Sequence, residues 1–269
     1  MCRGRKGPRG GAPGRRRPLG WPAADPIEEG AGSVTHDSAG ELEIGDLDRR
    51  DVREAVAVLA RGMRDNPVHV AAFGDDAERR RRTLERLFGA LFRVMTDQRP
   101  ICARRDGRIV AAAGIAPAGT CQPTGRQRLA LAPALLATGP GSAVRALRWT
   151  GAWAARDPDE PHAHLGPLAV DADLQGQGIG SLLLAEYCRR LDAAAEIGYL
   201  ETDRAENVPF YARQGFETVG EAEVLGVPNW FMRRRPRRGL GARAAARSGT
   251  AAGAGAPPPA LGVPTAGRR

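Results

Sequence analysis

Residues His162–Ser181 read HAHLGPLAVDADLQGQGIGS, and the order of the whole chain can be worked out from this stretch. His162–Val170 predicts a strand, the glycines at 176, 178 and 180 predict a tight turn, and Ile179, Leu183, Tyr187, Leu191 and Ala194 then share one face of a helix reaching about Ile197. Three glycines at a strand-to-helix junction remove side chains from the first helical amides. Those unpaired N–H groups, with the positive end of the helix dipole, favour an anion, most naturally a phosphate. A tight turn whose glycines only allow close packing would use the same residues. Neither common nucleotide pattern fits: no Lys precedes Ser181 as a P-loop requires, and the spacing Gly176-x-Gly178-x-Gly180 is not that of a dinucleotide fold. A pyrophosphate on another kind of cofactor is left.

Working outward, Tyr199–Thr202 predicts a strand, Pro209–Arg213 a short helix, Gly215 its left-handed cap, and Phe216–Val224 and Trp230–Arg234 closing strands. Trp230 and Met232 alternate with Asn229 and Phe231, so one pair packs inward and the other is free to line a pocket. On the N-terminal side, Glu41–Ile44 is a short strand, followed by Leu47, Val52, Ala55, Val56, Leu59 and Met63 at helical spacing with Asp46 or Asp48 as cap. A second helix is predicted from about Asp76 to Thr96, with Leu84, Leu87, Phe88, Leu91 and Val94 inward and Arg79–Arg82 on a solvated face. Ile101–Arg104 and Arg108–Ile115 flank Asp106-Gly107 as a hairpin. Residues 127–155 read as helix broken by Pro133 and by Gly139-Pro140-Gly141. This is the pattern of one mixed α/β (α+β) domain around a central sheet.

The net charge of +9 suggests nucleic acid until the charges are located. Residues 1–40 carry seven basic and four acidic groups, residues 237–269 carry six basic and none acidic, and the segment between them carries 27 of each sign. A body without net charge has no electrostatic case for wrapping a phosphate backbone, so nucleic acid is expected at most as a weak contact of the ends. Both ends, rich in Gly, Pro, Ala and Arg without apolar period, are expected to be disordered tails around a folded unit at 41–236. The longest apolar windows fall short of the roughly 20 residues that cross a bilayer. Four scattered cysteines without a Cys-x-x-Cys pair fit a cytoplasmic protein. His162 and His164 share a strand face, but two histidines alone cannot complete a tetrahedral zinc site, so no metal site is expected.

Gln175-Gly176-Gln177-Gly178-Ile179-Gly180 resembles the Gln/Arg-x-x-Gly-x-Gly/Ala signature of the GCN5-related N-acetyltransferase superfamily. The likeness continues through LETDRAENVPFYARQGFE at 200–217, and from Glu160 to Met232 it is most similar to antibiotic-inactivating members such as puromycin acetyltransferase. Residues 41–160 fit the family's opening of strand, two helices and hairpin but hold no diagnostic motif.

The resemblance implies a mixed sheet in which two neighbouring strands splay to form a slot for acetyl-CoA. It implies that the pyrophosphate lies on the amides of Gln175, Gly176, Gln177, Gly178, Ile179, Gly180 and Ser181. The pantetheine arm would pair with Leu168, Ala169 and Val170 as an added strand and meet the side chain of Asn207. Tyr211 matches the family's general acid toward the leaving thiolate; by its position in a short amphipathic helix it could equally be core. Glu201 interrupts an apolar strand and is a candidate base, or else caps a backbone group or pairs with a cation. His162 and His164 are either polar lining or proton carriers. The implied activity is transfer of an acetyl group to a primary amine of a small molecule; a protein or peptide N-acetyltransferase and a non-catalytic acyl-CoA sensor with nucleic-acid-binding tails are the alternatives. Cys188, in mid-helix, reads as a small buried hydrophobe rather than a nucleophile.

Overall fold

The computed structural model describes residues 41–237, and the two expected tails lie outside the described residues. Leu42–Asp46 (β1) and Ile101–Arg105 (β2) pair antiparallel, and Asp106 and Gly107, both at positive φ, turn β2 back into Arg108–Ala116 (β3). Strand β3 pairs antiparallel with His162–Val170 (β4), which meets Ile197–Thr202 (β5) in the sheet's parallel contact. Glu217–Val224 (β6) and Val227–Arg234 (β7) form the closing hairpin, with β7 inserted beside β5, so the order is β1-β2-β3-β4-β5-β7-β6.

One face of this sheet is covered by Val52–Gly62 (α1), Pro67–Phe73 (α2), Ala77–Val94 (α3), Gly125–Leu136 (α4) and Pro140–Ala154 (α5), whose Leu59, Val68, Phe73, Leu84, Phe88 and Trp149 close a core over Cys102 and Ala112. The other face carries Ile179–Ala194 (α6) and Asn207–Ala212 (α7). Here the predicted stripe Ile179, Leu183, Tyr187 and Leu191 is buried against Ala111, Ala113 and Leu165, each large side chain contributing about 1.5–3 kcal/mol. Tyr187 satisfies its hydroxyl on the Ala163 carbonyl at 2.8 Å, which ties α6 to β4. Gly198 lets α6 press on β5, since a Cβ there would stand 2.5 Å from Leu191 Cδ1. Trp230 and Met232 face this side, while Asn229 and Phe231 face α5, where Asn229 accepts from Trp153 Nε1 at 3.0 Å.

Several local expectations are corrected. Helix α2 had no clear signal, because it spans only Pro67–Phe73; Asp203 at the end of β5 holds its start, accepting from the Val68 N–H at 2.7 Å. Arg80 is not on a solvated face: it is buried and donates to the Arg64 carbonyl at 2.9 Å, the Gly74 carbonyl at 2.8 Å and Asp65 at 2.6 Å, clamping the loops around α2. Pro133 lies inside α4 rather than ending it; the break comes at Gly139, whose φ of +93° starts a new helix with Pro140 in its first turn. Helix α6 ends at Ala194, short of Ile197, because Ala195 turns left-handed.

The feature that positions the site is the parting of β4 from β5. They pair only over His162–His164 against Ile197–Tyr199. Beyond that, β4 bulges at Gly166-Pro167, where the register with β3 shifts and Pro167 packs against Gly114.

Candidate active site

Strand β4 keeps its pairing with β3 past the bulge, Leu168, Ala169 and Val170 lying opposite Ala113, Ala112 and Ala111. The Asp171 N–H donates to the Val110 carbonyl at 2.8 Å, so by alternation Ala169 also turns its peptide groups to β3, while Leu168 and Val170 present theirs to the gap left by β5. Of the three predicted strand residues, then, two turn their backbone toward the slot, with the Val170 carbonyl taken by the Gln175 side chain. Ala169 instead points its side chain into the core against α1, where a Cβ on Gly62 would come within 2.7 Å of it.

At the end of this strand the chain makes a 3-10 turn at Ala172–Leu174 and enters the glycine turn. Gly176 and Gly178 both sit at φ +81°, which an L side chain adopts at a cost of roughly 1–2 kcal/mol. Gly178 is the N-cap of α6, and its carbonyl takes the N–H groups of Ser181 at 2.9 Å and Leu182 at 3.2 Å, so the Ser181 amide is already engaged. The amides of Ile179 and Gly180 stand at the head of a helix of 16 residues, where no preceding turn can accept from them. Gln175 closes the turn onto β4, donating to the Val170 carbonyl at 3.3 Å, and Gln177 accepts from Arg105 at 3.1 Å. Gly180 is a contact glycine: a Cβ would meet Val170 Cγ2 at 3.3 Å and the Phe210 ring at 3.8 Å.

That contact brings α7 to the same end of the slot. Tyr211 follows Phe210 and is buried, its ring edge-on to Phe210 and to Phe216 with centroids 5.1 and 6.1 Å apart. Burial, with a smaller push from Asp203, raises its phenol well above the ordinary range, so it carries its proton throughout the neutral region. Asn207 opens α7 with its amide 3.4 Å from Thr202 Oγ1.

Glu201 lies on the opposite face of β5, with its side chain only 2% exposed. One oxygen meets His164 Nε2 at 2.9 Å and the other is buried without a hydrogen-bond partner. Burial alone would lower the His164 pKa, but the carboxylates of Glu201 and Asp157 outweigh it and push the imidazole up to about 10. His162, one pleat back on the same face, stacks obliquely on Tyr199, their centroids 5.2 Å apart. The sequence pattern missed two neighbours of these histidines. Cys121, from the loop after β3, comes within 3.7 Å of His162 Nε2, and Asp157, from the loop after α5, lies 3.6 Å from both Cys121 Sγ and His164 Nδ1. The His162 and His164 imidazoles beside it hold the Cys121 thiol below its ordinary range. Cys121 lies 41 residues before His162 and only the fold brings it in, whereas Asp157 stands just five residues before His162.

The residues that the sequence pattern singled out are thus gathered around one gap, the anion seat and Tyr211 on the α6–α7 face and Glu201 on the other. A model of the acetyltransferase (GNAT) family matches residues 69–216, more than half of the chain. The chain belongs to that family. GNAT enzymes take the acetyl group from acetyl-CoA, which is a cosubstrate rather than a resident group. Among solved structures, a Corynebacterium glutamicum protein described as histone acetyltransferase HPA2 and related acetyltransferase matches with a TM-score of 0.57 at 21% identity, over 74% of this chain and 98% of that one. Drosophila melanogaster polyamine N-acetyltransferase, which forms N-acetylagmatine, matches with a TM-score of 0.54 at 15% identity, over 72% of this chain and 100% of that one. An agmatine N-acetyltransferase in its apo form gives 0.52 at 14% identity, over 72% and 99%. At these identities the likeness concerns the GNAT fold alone. Among the described residues no helix is long and apolar enough to cross a membrane.

The glycine turn makes a direct test of where the donor binds. Replacing Gly178 with Val forces a β-branched residue to positive φ, and replacing Gly180 with Leu drives a side chain into Val170 and Phe210. Calorimetry should show acetyl-CoA binding weakened at least about tenfold, roughly 1.4 kcal/mol, in either variant. Unchanged affinity in both would remove the pyrophosphate from this turn.

Proposed function

We propose that this GNAT enzyme acetylates a primary amine of a small molecule by direct attack on acetyl-CoA. The carrying observation is that the β4–β5 gap has Tyr211 on one face of the sheet and Glu201 on the other, with the α6 amides at its end. In this reading the pyrophosphate rests on residues 175–181, and the pantetheine arm pairs with the peptide groups of Leu168 and Val170 and meets Asn207. An N–H of β4 polarises the thioester carbonyl as negative charge develops on its oxygen. The amine enters from the α1–α5 face, gives its proton to Glu201 and attacks the carbonyl carbon. As the tetrahedral intermediate collapses, the carbon–sulfur bond breaks and Tyr211 protonates the departing thiolate. Asp157 and Glu201 around one imidazolium leave an excess of negative charge that attracts a cationic acceptor. A cationic small amine is also the acceptor named for the agmatine and polyamine enzymes of the same fold, and the likeness of residues 160–232 to puromycin acetyltransferase points to an amine-bearing antibiotic or metabolite.

Purified full-length protein incubated with acetyl-CoA and panels of amine antibiotics, polyamines including agmatine, and peptides identifies the acceptor by thiol release. Turnover with peptides alone would overturn the small-molecule reading. With the acceptor in hand, Glu201→Gln should lower kcat/KM for the amine by roughly tenfold, about 1.4 kcal/mol, while the KM for acetyl-CoA stays unchanged. An unaltered kcat/KM would take Glu201 out of the amine's path.

A further inference from the structure

We propose that Cys121, Asp157, His162 and His164 form a four-ligand site for a divalent metal ion of the zinc class. One ligand atom from each lies within 4.8 Å of all the others, although the residues come from the loop after β3, the loop after α5 and two positions of β4. Zinc bonds of about 2.0–2.3 Å to nitrogen, oxygen and sulfur place tetrahedral ligand atoms roughly 3.3–3.7 Å apart. The Cys121 Sγ to His162 Nε2 distance is 3.7 Å, Cys121 Sγ to Asp157 Oδ2 is 3.6 Å, and His164 Nδ1 to Asp157 Oδ1 is 3.6 Å. The two Asp157 distances are to different oxygens; with one of them as ligand, the remaining edges reach at most 4.8 Å and must shorten by about 1 Å to close on a metal.

The surroundings orient the donors as a metal needs. His162 Nδ1 meets the Glu160 carbonyl at 2.9 Å, and a carbonyl only accepts, so Nδ1 carries the hydrogen and Nε2 turns its lone pair to Cys121. His164 Nε2 donates to Glu201 at 2.9 Å, which leaves Nδ1 facing Asp157. A carbonyl behind one ligating imidazole and a carboxylate behind the other is the arrangement that fixes histidine ligands on zinc. His164 Nδ1 and Asp157 Oδ1 are both buried and have no hydrogen-bond partner, although Asp157 Oδ2 is engaged by Gln122. Two carboxylates, a thiol and two imidazoles gathered here call for a cation, and a dication bound to Nδ1 takes the place of the proton His164 would otherwise hold. One thiolate and two imidazoles exclude magnesium and calcium, which take oxygen ligands, and favour zinc or cobalt. With no open position, such a site joins two loops to β4.

Titration of metal-free, full-length protein with Co²⁺ should produce a thiolate-to-cobalt charge-transfer band together with the strong visible absorption of a tetrahedral ion, and Zn²⁺ should bleach both. Cys121→Ser should abolish the charge-transfer band, and His162→Gln should weaken Zn²⁺ at least about tenfold in a chelator competition. Because Cys2 and His36 lie outside the described residues, the variants and not the stoichiometry decide. Each variant is first matched to the wild type by circular dichroism, and the two substitutions serve as independent checks should one fail to fold. Absence of the band in the wild type, or its persistence in Cys121→Ser with undiminished Zn²⁺ affinity in His162→Gln, would overturn the proposal.

Discussion

Tyr211→Phe should bind acetyl-CoA with nearly wild-type affinity and turn over roughly 10²- to 10⁴-fold more slowly. The substitution removes one oxygen and leaves the ring in its edge-on contacts with Phe210 and Phe216, so packing is retained. What is lost is the proton for the thiolate. The raised phenol pKa sets the sign of the pH dependence: the hydroxyl stays neutral and keeps its proton across the working range, so no alkaline fall of wild-type turnover near neutrality arises from Tyr211. Single-turnover acetyl transfer separates this from a folding effect, because a structural role would change binding and melting as well. A turnover within a few-fold of wild type would leave Tyr211 as a core residue and nothing more.

Asp192→Ala should destabilise the fold by about 3–5 kcal/mol, the cost of leaving a buried cation unpaired. Arg234 at the end of β7 is 2% exposed and donates both terminal nitrogens to Asp192 at 2.8 Å, with its Nε on the Gln214 carbonyl at 2.9 Å. Asp192 also accepts from the Arg237 N–H at 2.7 Å, so one carboxylate joins α6, β7 and the segment that follows it. Burial pushes the Asp192 carboxyl upward, but the Arg234 hydrogen bonds and charge prevail and hold it below the ordinary value of 3.8. A carboxylate whose folded pKa is depressed contributes stability that is complete above the unfolded value and disappears as pH falls through the folded one. Wild type should therefore lose this contribution below about pH 4, and Asp192→Ala should show a melting temperature that is lower at neutral pH and less sensitive to acid in that interval. Equal melting temperatures for the two proteins at pH 7 would show that Arg234 finds another partner.

The parts of the molecule legible from sequence were those governed by local rules. The strand, glycine turn and helix at 162–194 follow from period and from the absence of side chains, and the Asp106-Gly107 hairpin follows from turn chemistry. Helix α3 starts where the pattern placed it, with Asp76 accepting from the N–H groups of Glu78 and Arg79 at 3.0 and 2.9 Å, but the cap expected for α1 is not found: Asp46 lies in β1, Asp48 makes no capping bond and Asp51 stands at the α1 N-cap. What escaped were features decided by distant partners. Arg80 looks like its three arginine neighbours in sequence, and the carbonyls of Arg64 and Gly74 together with the Asp65 carboxylate allow its burial. The Cys121 partner of His162 was unreadable for the same reason, since it arrives from a loop 41 residues earlier, whereas Asp157, five residues before His162, was within reach of the pattern and was overlooked. Glu201 was visible as a polar interruption, but its lock on His164 depends on β4 and β5 running parallel in register, which no local pattern encodes.

The three-residue seam between β4 and β5 has a mechanical meaning as well. A sheet so lightly stitched across its middle consists of two rafts, β1–β4 and β5–β7, moored to each other chiefly by the helices above and below. A cosubstrate lying along the unpaired edge of β4 then acts as a splint, and amide exchange at Leu168 and Val170 becomes a gauge of how far the rafts drift apart while the donor is away.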